Sequence, residues 1–137
     1  MVIMSVDYGD SRTGVAVCDK NEMLASPVSV IFESYEPRLL DKLCEFAKEL
    51  KPDLIVVGLP RNMDGTFGER AEKCTGFSQK LSTASGIETK LWDERLTTVS
   101  AHRALNEVNV RGKKRKNIVD AVSAVMILED FMASRKK

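Results

Sequence analysis

Residues Met1–Val17, MVIMSVDYGDSRTGVAV, decide how the rest of the chain is read. An apolar run ends on a carboxylate, Asp7, passes Gly9, and gives way to a second apolar run that continues to Cys18. Two strand-like runs joined by a few turn residues predict an antiparallel hairpin over 2–7 and 13–18. The acid at its seam is either a turn device or a metal ligand at a strand end.

Working outward, residues 24–32 read as a third strand, and Pro27 inside it marks a sheet edge. PRLLDKLCEFAKEL follows, with Leu39, Leu40, Leu43, Phe46, Ala47 and Leu50 at helical spacing and Pro37 suited to the first turn. KPDLIVVGLP is a continuous apolar run bounded by turn residues, the pattern of a strand buried on both faces. The glycine-bearing loop PRNMDGTFG leads to a second helix over about 68–84, whose inner face is Ala71, Cys74, Phe77, Leu81 and Ala84. IETKLW is a fifth strand. Thr97 or Thr98 can cap a third helix reaching about Val108, and Asn117 can cap a last helix, IVDAVSAVMILEDFMA, apolar almost all round. The order predicts one α/β domain over 1–137. Its five-stranded mixed sheet has the first three strands antiparallel and strands one, four and five parallel, flanked by about four helices.

The 137 residues are 43% hydrophobic with few aromatics, enough for one core without staples. Cys18, Cys44 and Cys74 form no CxxC pair, which excludes a zinc knuckle or redox motif and suits buried thiols in a reducing compartment. No run approaches the ~18 apolar residues of a membrane span, and no signal-peptide pattern opens the chain, so a cytoplasmic protein is expected. No GxxxxGK[ST] is present, which leaves a P-loop ATPase unsupported. Charge is divided. Residues 1–100 hold 12 Lys/Arg and 16 Asp/Glu, a net −4, and residues 101–137 hold 9 and 4, a net +5. The excess gathers in RGKKRK, Arg111–Lys116. Acids early and bases late suit a protein that brings a cation and a polyanion together.

The carboxyl ends of parallel strands share one sheet edge, where open α/β sheets bind ligands. Asp7 ends the first strand, Asp93 and Glu94 end the fifth, and Asp120 on the last helix can be brought over the same edge. Convergent carboxylates repel unless a cation neutralises them, and an oxygen-only set favours Mg²⁺ or Mn²⁺. Two such ions can activate a water and stabilise the leaving oxygen of a phosphodiester. The plainer alternatives are that Asp7 with Gly9 builds a turn, that Asp120 is a first-turn acid favoured by the helix dipole, and that Asp93 and Glu94 are solvated loop acids.

The motifs VDYGDSRTGVAV, VVGLPRNMDGT, WDERLTT and KKRKNIVDAVSAVMIL together resemble the YqgF (RuvX) family, Holliday-junction-resolvase-like proteins of the ribonuclease H fold. The resemblance covers nearly the whole chain. It implies a cytoplasmic, metal-dependent nuclease that trims the 5′ end of the 16S ribosomal RNA precursor, some relatives being described instead as junction resolvases. Carried over by motif, Asp7, Glu94 and Asp120 are the catalytic acids and the ligands of Mg²⁺ or Mn²⁺. The wider resolvase group usually has a carboxylate on the strand beside the first, where this chain has Gly58. The second acid must then reach from the next strand, about 5 Å further, which favours Glu94 over the shorter Asp93.

For the polyanion, Arg61 and Arg70 flank the glycine loop before a helix N-terminus, and Arg12 and Arg95 lie near the strand ends. Lys113, Lys114, Arg115 and Lys116 precede the helix of Asp120 and are expected to contact nucleic acid; a solvated surface is the plainer reading. Tyr8 is the best-placed stacking platform, Trp92 reads as packing, and His102 as a surface residue. The expected partners are structured RNA or branched DNA and ribosome precursor particles, with no membrane; the chain is a monomer or homodimer. The rivals to pre-16S processing are a branched-DNA resolvase and a binding module with a weak or vestigial site, which Gly58 keeps open. Sugar kinases and actin-type phosphatases also begin with an acid–glycine hairpin, but they need two such domains.

Overall fold

The computed structural model describes residues 1–59, 68–93 and 112–135, the side chains of 93 and 112–121 excepted. These form, in chain order, β1 (Ile3–Asp7), β2 (Arg12–Cys18), β3 (Ala25–Phe32), α1 (Glu36–Leu50), β4 (Leu54–Leu59), α2 (Glu69–Ser85), β5 (Thr89–Asp93) and α3 (Gly112–Arg135). The sheet order is β3-β2-β1-β4-β5. The hairpin pairs β1–β2 and β2–β3 are antiparallel, and β1, β4 and β5 run parallel. This is the expected mixed sheet, with Pro27 on an edge strand, where a missing N–H can face away from the ladder.

Period-two alternation divides each central strand between two cores. Ile3, Leu54 and Val56 face α3 and pack with Ala124, Ile127, Leu128 and Phe131. Met4, Val6, Ile55 and Val57 face the other way, against Leu39 and Leu43 of α1 and Phe77 and Leu81 of α2. β4 is buried from Leu54 through Gly58, as its unbroken apolar run predicts.

Helix ends follow local chemistry. α1 carries proline in its first turn and stops at Lys51, a left-handed residue (φ 51°) whose N–H donates to the Ala47 carbonyl at 2.9 Å. α2 stops the same way at Gly86 (φ 71°), where glycine takes the left-handed angle without steric cost. Two charged contacts fix the direction of α3. Glu22, in the β2–β3 turn, accepts from the Met1 amine at 3.2 Å and from Arg135 Nε at 2.7 Å. The C-terminal end of α3 therefore lies at the start of β1, and the helix runs antiparallel to that strand.

Some expectations need correction. The last helix begins at Gly112, not after Asn117, because the lysines and arginines of the basic run are good helix formers and continue the helix rather than forming a loop. Asp120 consequently sits in the third turn, beyond the reach of a first-turn dipole effect. In α2 the exposed Ala84 leaves the inner face and Ser78 joins it. β5 starts at Thr89 rather than Ile87. The helix expected over 97–108 lies outside the described residues. Among the described residues no helix is long and apolar enough to cross a membrane.

Candidate functional site

The carboxyl edge is built from the β1–β2 hairpin. Asp7, half-buried, is opposite Gly14 on β2. On the other side Val6 pairs with Val57, and one step on Gly58 pairs with Trp92. Ile3 lies in the α3-facing core and Ser5 touches α3, so alternation gives Asp7 that same face. Gly58 is buried at the same level, so β4 contributes no side chain between Asp7 and β5.

Gly9 is the turn device. A Cβ there would come within 2.0 Å of the Arg12 carbonyl oxygen, so only glycine allows the chain to fold back. The Gly9 N–H donates to Oγ1 of the buried Thr13 at 3.4 Å. Asp7 itself is the last residue of β1.

Arg70, in the first turn of α2, clamps this hairpin. Its guanidinium donates to Asp10 at 2.6 Å and to the Tyr8 carbonyl, and lies 5.1 Å from the Tyr8 ring centroid. The Tyr8 ring also stacks on Phe77, with centroids 4.1 Å apart. The Tyr8 ring is thus engaged inside the fold by two residues of α2. Burial, and then the nearby Glu36 charge, raise the phenol above its ordinary value, with Arg70 opposing. Trp92 packs edge-on against Phe131 at 5.7 Å, as expected.

On the opposing layer, the buried Ser5 hydroxyl donates to the Ala124 carbonyl at 2.6 Å. Position 120 lies one helical turn toward the start of α3 from that contact, in the direction of the carboxyl edge. Positions 113–116 lie further along at the same end. Glu94, Arg61, Arg95 and His102 lie outside the described residues, and Asp120 and Lys113–Lys116 are placed as helix positions only. Arg12 opens β2 on the same hairpin, half-buried. Among the described residues no group of three His, Cys, Asp or Glu could hold a metal.

A cleft of about 530 Å³ opens beside Tyr8, Asp10, Glu36, Phe77 and Lys80. It lies on the α1–α2 side of the sheet, away from Asp7, and Lys80 pairs with Glu36 across it at 3.1 Å. Asp7 lies on the opposite face, the one covered by α3.

The comparisons with known proteins bear on this edge. Residues 1–134 match the family model described as "RuvX: Holliday junction resolvase". The chain belongs to the RuvX family. A RuvX-family chain of this kind has relatives along its whole length. It is 40% identical over 134 residues to a Clostridium novyi protein named "Putative pre-16S rRNA nuclease", covering 98% of this chain and 99% of that one. A Halothermothrix orenii protein of the same name is 41% identical over 137 residues, covering 100% and 98%. Among solved structures, Thermus thermophilus RuvC in complex with a Holliday junction substrate matches with TM-score 0.64 at 14% identity, over 99% of this chain and 96% of that one. The Fowlpox virus resolvase with its Holliday junction DNA matches with TM-score 0.63 at 12% identity, over 100% of both. At such identities the likeness is one of fold, and the fold is ribonuclease H-like.

Sequence reading missed Ser5 and the double engagement of Arg70. The signal for Ser5 was present, a lone hydroxyl in the otherwise apolar strand IMSV. For Arg70 the signal was weaker, since its partners lie 60 and 62 residues away.

Proposed function

We propose that this RuvX-family chain is a divalent-metal-dependent phosphodiesterase that processes the 5′ end of the 16S ribosomal RNA precursor in the cytoplasm. The observation that carries the reading is the position of Asp7, at the carboxyl end of the central strand, on the face covered by α3. The family match and the nuclease name of the 40–41% identical relatives support it.

Asp7, Glu94 and Asp120 are the assigned ligands. Glu94 is the residue that follows β5 in the sequence. The donor chemistry fits, because carboxylate oxygens suit Mg²⁺ or Mn²⁺. When bound, such a cation supplies an activated water and charge neutralisation at the leaving oxygen.

The chain's own residues do the rest. Asp7 approaches from a strand end whose position the Gly9 turn and the Arg70 clamp hold. Gly58 places no carboxylate between β1 and β5, which leaves the second acid to Glu94. Lys113, Lys114, Arg115 and Lys116 draw the polyanion to the start of α3, and Arg12, Arg61 and Arg95 add phosphate contacts at the strand ends. Arg70 is assigned to the hairpin, because its guanidinium is already engaged there.

A side-by-side assay tests this. Purified protein is offered precursor ribosomal RNA and a four-way DNA junction, with Mn²⁺ and with chelator. The expected outcome is Mn²⁺-dependent RNA cleavage, lost by more than about a hundredfold in Asp7→Asn, since even outer-shell changes at metal sites cost about 10–100-fold. Cleavage of the junction alone, by a stable dimer, favours the second reading, branched-DNA resolution, which the family description supports. Tight binding of RNA with no cleavage under any metal overturns the nuclease reading and leaves a binding module.

A further inference from the structure

We infer that Ser5 is a positioning residue that sets the axial register of α3 on β1 and so the separation of Asp7 and Asp120. The inference rests on the metal-site reading above.

Ser5 is fully buried in the central strand. The core residues on its side of the sheet, Ile3, Ala16, Val56, Ala124 and Ile127, are apolar. A hydroxyl there is costly unless bonded, and an alanine would fill most of the same space without that cost. Packing alone therefore gives no reason for a serine. Its hydroxyl donates to the Ala124 carbonyl at 2.6 Å, joining residues 119 positions apart. That carbonyl lies inside α3, where the helix ladder uses one lone pair and leaves the second for Ser5.

The geometry links this bond to the acids. Asp7 is two residues beyond Ser5, an advance of about 6.6 Å along the strand. Position 120 is four residues before Ala124, about 6 Å along an antiparallel helix and in the same direction. The two advances nearly match, so the bond sets both acid positions at one level. Among the described side chains, the core contacts that α3 makes with the sheet are apolar, and such contacts have no preferred direction. They hold the layers together without specifying how far the helix slides. At the far end Glu22 ties Arg135, but through long side chains.

The test is calorimetric titration of Mn²⁺ alone into full-length protein, with Tm measured for each variant. Ser5→Ala should remain folded and bind Mn²⁺ about tenfold more weakly, the scale of outer-shell changes at metal sites. Ile127→Val, a loss of packing on the same helix face, should lower Tm comparably and leave Mn²⁺ affinity unchanged. If Ser5→Ala does not fold, the nearly isosteric Ser5→Cys, with its weak S–H donor, carries the same expectation. Wild-type affinity in the Ser5 variant, or equal weakening in Ile127→Val, overturns the positioning role. Asp7→Asn separates the two layers of reasoning. If it loses Mn²⁺ while Ser5→Ala does not, only the Ser5 inference falls. If it binds as wild type does, the metal-site reading falls and takes the inference with it.

Discussion

A carboxylate and a glycine two positions apart look like one turn signal, and the structure puts one in the strand and the other in the turn. Gly9 makes the turn, because the Arg12 carbonyl occupies the space a side chain would need. Asp7 stays on the strand. Gly9→Ala should therefore lower stability by about 1–3 kcal/mol, the cost of forcing volume into a closed site. Thermal or urea unfolding measures this, and cleavage should fall with it because the displaced hairpin carries the acid. Asp7→Asn should show the opposite profile, with unfolding near wild type and cleavage lost. Tyr8 shows the limit of reading residues singly. Its place beside Asp7 was visible in the chain, but the ring and the charge that contact it come from α2, more than sixty residues away.

Elements are joined by a few directional contacts, and Glu22 is the plainest. Its hydrogen bond with Arg135, more than its contact with the Met1 amine, holds its carboxyl below the ordinary value of 4.5. A carboxylate whose folded value is depressed contributes stability above the unfolded value and loses it as pH falls through the folded one. The Tm gap between wild type and Glu22→Gln should thus be full at neutral pH and close as pH drops below 4.5. The strands were legible element by element, because burial on both faces leaves long apolar runs such as LIVVG and a proline marks the edge. The start of α3 was not. Asn117 resembles a cap and the basic run resembles a loop, yet lysine and arginine propensity carries the helix back to Gly112. This changes the prediction for the basic run. Positions 113, 116, 120 and 124 share one stripe at helical spacing, while 114 and 115 do not. Lys116→Ala should therefore weaken cleavage more than Lys114→Ala at equal RNA concentration, as single-turnover rates would show.

Across the whole molecule, charge and fold divide the work. In the proposed reading Asp7 stands at the sheet edge and the bases at the N-terminal end of α3, in line with the −4 of residues 1–100 and the +5 of residues 101–137. Neutralising Lys113, Lys114 and Arg115 together should reduce the slope of log affinity for RNA against log salt by about 2, in line with released counterions. An unchanged slope would remove the run from the interface. What the sequence alone could not supply is the tie between layers. A lone hydroxyl in IMSV marks Ser5, but nothing local names the Ala124 carbonyl, 119 positions away, as its partner, and the level of Asp7 against α3 depends on both.

Mn²⁺-induced broadening of backbone amide signals tests the shared edge most directly. The account predicts broadening centred on Asp7, Gly14, Gly58 and the turn of α3 around position 120, and none of it in Asp7→Asn. Broadening along the α1–α2 cleft near Glu36 and Glu72 instead, or an unchanged pattern in Asp7→Asn, would contradict it.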